Sequence, residues 1–181
     1  MTQRRISSKS ILLVVLFLCV ILCSPFTLSV ARSENNQVPV VKVTASSDGT
    51  QSEKWPHHPE MVVDGDTYTC WASSANDIIG SWLNFEFKER VAVSGIAVIN
   101  GWIPRNYPDF FPSNHRAKQI ILLFDDGSQE TVVLKDTNEN QRYLLKERKN
   151  TKFLKMQIDK IYESEKGENP WVTISEISFF Q

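Results

Sequence analysis

A two-sheet antiparallel β-sandwich of about eight strands is the fold this sequence predicts, and three observations carry the prediction. Between Val40 and Phe180, short runs rich in β-branched and aromatic residues alternate apolar with polar side chains, the period of a half-buried strand. Clusters of Gly, Pro, Asp, Asn and Ser separate these runs. No segment of this region sustains the period of an amphipathic helix.

The chain opens with an export signal. Arg4, Arg5 and Lys9 precede an apolar run from Ile11 to Cys23, and Ser29-Val30-Ala31 supplies a small-x-small cleavage site. The run is shorter than the ~20 residues a membrane span needs. Residues 1–31 therefore read as a signal peptide that is removed, and an uncleaved leader is the only route to a membrane. Residues 32–39 are a polar, flexible lead-in, and 40–181 form one domain, since about 150 residues build one core and no second. Cys19 and Cys23 leave with the leader, so Cys70 has no internal disulfide partner. With no Asn-x-Ser/Thr sequon either, the chain suits a secreted, periplasmic or cell-envelope location in a bacterium. Losing Arg4, Arg5 and Lys9 from 20 basic residues leaves 17 against 21 acidic ones, a net charge of −4. Polyanion binding, nucleic acid included, is not suggested by that balance.

The elements follow in order. Val40 to Ala45 is β-branched and alternating, a first strand. Ser46 to Pro59 is a loop carrying Trp55, His57 and His58. Trp82 to Phe87 and Val91 to Ile99 are two strands across a short charged turn, Lys88-Glu89-Arg90. Gly101 to Asn114 is the longest aperiodic stretch and is dense in aromatic residues, the kind of long loop that tends to be functional. Gln119 to Phe124 and Thr131 to Leu134 form a hairpin about Asp125-Asp126-Gly127-Ser128. Arg142 to Leu145, Phe153 to Tyr162 and Val172 to Phe180 complete the set.

Catalytic chemistry is poorly represented. His57 and His58 are adjacent and read as a solvated loop pair, and His115 has no nucleophile signature near it. There is no Gly-rich phosphate loop, no Cys-x-x-Cys pair and no His-Glu-x-x-His helix. Asp125 and Asp126 belong to turn chemistry. Cys70 reads as a small buried hydrophobe, because nothing basic adjoins it in sequence. A non-enzymatic module is the expectation.

The stretch from Met61 to Trp71 organises the rest. Asp64-Gly65-Asp66 makes an acidic turn about a glycine, Thr69 adds a hydroxyl and Trp71 an apolar anchor. Far away in sequence, Ile174-Ser175-Glu176-Ile177 embeds a carboxylate in an apolar strand, where it needs a partner. The Asp-Gly-x-x-x-Thr-x-Trp turn with a late acidic strand resembles the galactose-binding-like jelly-roll sandwiches of the discoidin, or coagulation-factor type C, group. Ile99-Asn100-Gly101-Trp102, Asn114-His115-Arg116, Phe124-Asp125-Asp126-Gly127, Leu134-Lys135-Asp136 with Gln141, and Ile161-Tyr162 are similar, in order and spacing, to the NAD glycohydrolase-type translocation or glycan-binding domain. That likeness covers about Val41 to Phe180.

The resemblance implies a carbohydrate-recognition or surface-docking module whose partner is a glycan or a cell-surface protein. It implies no NAD glycohydrolase activity, since in such proteins the hydrolase is a separate domain. One departure is that Pro170-Trp171-Val172-Thr173 stands where an acidic residue is usual. The Asp64 turn and the Glu176 strand are expected to meet, either around a structural Ca²⁺ held by Asp64, Asp66, Thr69 and Glu176 or as a turn capped by hydrogen bonds alone. The ligand face is expected where the long loop leaves its strand. There Trp102, Tyr107 and Trp55 would stack on sugar, and Asn100, Asn114 and Arg116 would make polar contacts. The alternative is that Trp102, Phe110 and Phe111 fold back as a plug over the sandwich end with Arg116 bonding loop carbonyls, and for Phe110 and Phe111 that folding back is the expectation.

Overall fold

The computed structural model describes residues 37–50, 54–167 and 170–181; the expected signal peptide 1–31 and most of the expected lead-in lie outside them. Among the described residues there are eight strands: β1 (Gln37–Val38), β2 (Val40–Ala45), β3 (Trp71–Ala72), β4 (Trp82–Asn100), β5 (His115–Phe124), β6 (Gln129–Val133), β7 (Gln141–Tyr162) and β8 (Val172–Phe180). Two short 3-10 helices, Pro59–Val63 and Pro108–Ser113, interrupt the connections.

The charged turn expected at Lys88–Arg90 is a bend inside one strand. β4 runs through it, and its register with β7 jumps between Glu86 and Val91. Cations bond the carbonyls around this bend: Lys152 Nζ donates to the Phe87 and Lys88 carbonyls and Arg90 to the Asn150 carbonyl. Arg142–Leu145 and Phe153–Tyr162 are likewise two parts of one strand, the 22-residue β7.

These two long strands build both layers. The first part of β4 pairs with β2 and with the second part of β7, which also carries β5 and then β6. The second part of β4 pairs with the first part of β7 and with β8, whose outer edge takes β1. Phe85 and Phe87 of one layer meet Phe179 of the other edge to face, at 4.9 and 5.3 Å. Leu83, Ile120, Leu122, Leu154, Met156 and Ile158 fill the same core, all essentially unexposed. Among the described residues the strand pairings are antiparallel except for a short parallel contact of β5 with β8, His115 beside Val172 and Arg116 beside Thr173, next to an isolated parallel bridge of Gly101 with Ile174. That exception ties the start of β5 to the start of β8, which brings the long aromatic loop against Trp171.

Candidate functional site

The acidic turn and the late strand meet as expected. Gly65 has φ +80°, a conformation open to glycine, and its N–H donates to Glu176 Oε2 at 3.3 Å. Asp64 accepts from the Asp66 N–H at 2.8 Å and from the Thr69 hydroxyl at 2.9 Å, and the Thr69 hydroxyl also lies 2.8 Å from the Asp66 carbonyl. Burial and the neighbouring Asp64 carboxylate push Glu176 up to about 7. The Asp66 carboxylate lies 3.5 Å from the Arg105 guanidinium. Among the described residues, no group of three or more His, Cys, Asp and Glu side chains is placed to share one ion.

Trp71 anchors this turn to the loop before it. Its ring is wholly buried and its Nε1–H donates to the Ser47 carbonyl at 3.0 Å, while the Gly49 N–H donates to the Ala72 carbonyl at 2.8 Å. The segment that carries Trp55 and His57 is thereby held beside the turn. On the other side, Gly101 lets the chain leave β4 sharply: its φ is +74°, and a Cβ there would sit 2.6 Å from the Phe111 ring. Trp102 follows, 7 % exposed, with its Nε1–H donating to the Tyr68 carbonyl at 2.7 Å.

These loops converge on an aromatic cleft of about 300 Å³, lined by Trp55, His57, Trp102, Pro104, Tyr107, Phe110 and Trp171. Trp55, His57 and Phe110 each stand nearly perpendicular to Trp102, at 79°, 81° and 82°, with ring centroids 4.8 to 5.8 Å apart. Edge-to-face contacts of this kind add to the Trp102–Tyr68 hydrogen bond in orienting the rings. Tyr107, 52 % exposed, closes the rim against Trp55 and Phe110.

Of the six residues expected at the ligand face, the structure brings Trp55, Trp102 and Tyr107 together and puts the other three elsewhere. Asn100 is buried on β4, where its side chain bonds both backbone groups of Ala117, at 2.7 and 3.0 Å. Arg116, 2 % exposed, pairs with both oxygens of Asp136 at 2.9 and 2.8 Å, donates to the Asn114 and Glu163 carbonyls, and lies over the Phe111 ring. Asn114 is fully buried, and neither of its side-chain polar atoms has a partner among the described residues. Phe111, half-buried, packs on Arg116, whereas Phe110 is part of the cleft.

His57, expected in solvent, is 3 % exposed and sits in the cleft wall, its Nδ1 at 3.2 Å from Cys70 Sγ. Burial holds its imidazole below the ordinary histidine range. Only His58 of the pair is exposed, bonded to Asp48 at 2.7 Å. Cys70 is enclosed, and burial pushes its thiol up, consistent with an inert side chain. Trp171 and Pro104 were not singled out as site residues, and only the aromatic density around them hinted at a role. The hollow is walled mainly by rings, with the His57 imidazole, the Tyr107 hydroxyl and the indole N–H groups as the polar groups of its lining residues.

This is a β-sandwich with a ligand-sized aromatic cleft at one loop end, the architecture of galactose-binding-like modules. The NAD glycohydrolase translocation F5/8 type C domain family matches residues 35–180, and the chain belongs to that family. Comparison with curated protein sequences returns no match. Among solved structures, a family 32 carbohydrate-binding module from Clostridium perfringens in complex with GalNAc-β-1,3-galactose is similar at a TM-score of 0.60 and 12% identity, over 77% of this chain and 94% of that one. The corresponding module of AlyQ in complex with 4,5-unsaturated mannuronic acid is similar at 0.54 and 19% identity, over 80% of this chain and 98% of that one. A truncated AlyQ with carbohydrate-binding and alginate lyase domains matches at 0.55 and 19% identity, and there the chain spans only 33% of the other protein. No helix among the described residues is long and apolar enough to cross a membrane.

Proposed function

We propose that the domain is an exported, non-catalytic carbohydrate-binding module that docks glycan in the aromatic cleft. The single observation that carries this reading is the ring set itself: Trp55, Tyr107 and Phe110 arrayed around Trp102 at the loop end of the sandwich. Sugar rings present C–H faces that stack on aromatic surfaces, and a rigid box holds them without an entropic penalty for ordering side chains. Several similar solved structures are carbohydrate-binding modules, which supports the same reading. Screening on a glycan array, followed by titration of the best binder against Tyr107→Ala and Trp55→Ala, tests it. Both variants should lose at least roughly tenfold in affinity. An empty array, with a protein partner captured through the same rings, would move the cleft to protein docking.

A structural Ca²⁺ belongs to the same proposal. Asp64 and Glu176 place two carboxylates close enough for one to raise the other, the arrangement a hard cation relieves. Those two side chains, the Thr69 hydroxyl and Asp66, through its carbonyl, are the oxygens that would hold it. The ion would brace the turn that carries Tyr68 and Thr69 and would take no part in chemistry.

A further inference from the structure

A second hollow of about 270 Å³ adjoins the cleft, and Trp55, Trp102, Pro104 and Tyr107 line both. Each hollow lies near or below the lower end of the ~300–1,000 Å³ typical of ligand sites, but the two share a wall and have joint room for more than one sugar ring. Their chemistry differs. The cleft offers rings and His57, whereas the second hollow is walled by Lys54, Asp66, Tyr68, Thr69, Arg105 and Asn106 as well. Among the described residues lining it, two cations face one carboxylate, a local positive excess on a chain whose formal net charge is −1.

Arg105 is the informative residue. Its side chain is 66% exposed, yet its guanidinium lies 4.1 Å from the centre of the Tyr68 ring and 3.5 Å from Asp66. An aromatic face below and a carboxylate beside it favour this placement of the planar fork, and its remaining N–H groups have no hydrogen-bond partner among the described residues. Lys54 Nζ stands over the Trp55 ring at 5.4 Å and belongs to the lining of the same hollow. A guanidinium beside a stacking platform is suited to a sugar that carries a carboxylate or sulfate.

We propose that the ligand is a chain of at least two sugar units, one stacked in the aromatic cleft and the next, bearing an anionic group, seated against Arg105 and Lys54. This rests on the carbohydrate reading of the cleft. Calorimetric titration with three probes of matched length tests it: neutral galactose oligomers, galacturonic acid oligomers and sulfated galactose oligomers, at low and high NaCl. At least one acidic series should bind roughly tenfold more tightly than the neutral series at low salt, with the advantage shrinking at high salt. The acidic-over-neutral ratio should fall to about one in Arg105→Gln and drop partway in Lys54→Gln, with melting temperatures near wild type. The series that wins identifies the anion as carboxylate or sulfate. Equal affinity for neutral and acidic chains, or a ratio unaltered by Arg105→Gln, would overturn the second subsite and leave the cleft reading intact. No binding by any saccharide would overturn both.

Discussion

A guanidinium that is 2% exposed and bonded to Asp136 and two carbonyls is a structural group, and its removal should be felt in the fold. Arg116→Ala strands those carbonyls and opens the space under Phe111, at a cost of about 3 kcal/mol by chemical denaturation. A near-zero change would contradict the buried network. Gly101→Ala should also destabilise, by more than ~1 kcal/mol, because φ +74° strains an alanine and the Phe111 ring blocks its Cβ. Tyr107→Ala, by contrast, removes an exposed rim ring and should leave the melting temperature within about a degree or two. The contrast explains what the sequence made legible here. Trp55, Trp102 and Tyr107 could be chosen because rings crowd a long loop, whatever the fold. Asn100 and Arg116 looked like ligand contacts because composition does not show which backbone groups a polar side chain will satisfy. His57 was misread for the same reason: adjacency to His58 says nothing about which of the two faces Trp102.

At the scale of elements, alternation located nearly every strand, and it failed where two strands are one. Lys88-Glu89-Arg90 has the composition of a turn, and only the pairing across β7 reveals that the chain bends without reversing. The short β1 and β3 have too few residues to show a period. The meeting of the Asp64 turn with β8 was legible, since a carboxylate inside an apolar strand demands a partner. It also carries a pH signature. Glu176 titrates at about 7 in the folded chain against an ordinary 4.5, so between those values the folded state holds a proton the unfolded state has lost. Its stabilising contribution is complete below the ordinary value and is lost as pH rises through about 7. In chelator, the melting temperature should fall by a few degrees from about pH 5 to about pH 8, and Glu176→Gln should flatten that fall. Added Ca²⁺ should oppose it, because the ion favours the charged carboxylate. A wild-type profile identical to that of Glu176→Gln would remove this pairing from the account, and one insensitive to Ca²⁺ would remove the metal.

For the whole molecule, the division of labour is between a core that needs no disulfide and a loop end that the core holds still. Sheet layers joined by bent β4 and β7 bring four distant segments together: the loop with Trp55 and His57, the acidic turn, the aromatic loop and Trp171. The sandwich was legible because its period is local, and the cleft was only half legible because it is assembled across the chain. The five tryptophans divide in a way that allows a direct test. Trp55, Trp102 and Trp171 line the cleft, Trp71 is buried in the core, and Trp82 lies on β4 beneath Lys155. With ¹⁵N-labelled protein and the tightest array oligosaccharide, the indole N–H resonances of Trp55, Trp102 and Trp171 should shift saturably, with one common dissociation constant, while those of Trp71 and Trp82 stay in place. Saturable binding that leaves all three cleft indoles unmoved, or moves Trp82 instead, would contradict the aromatic cleft as the site of carbohydrate recognition.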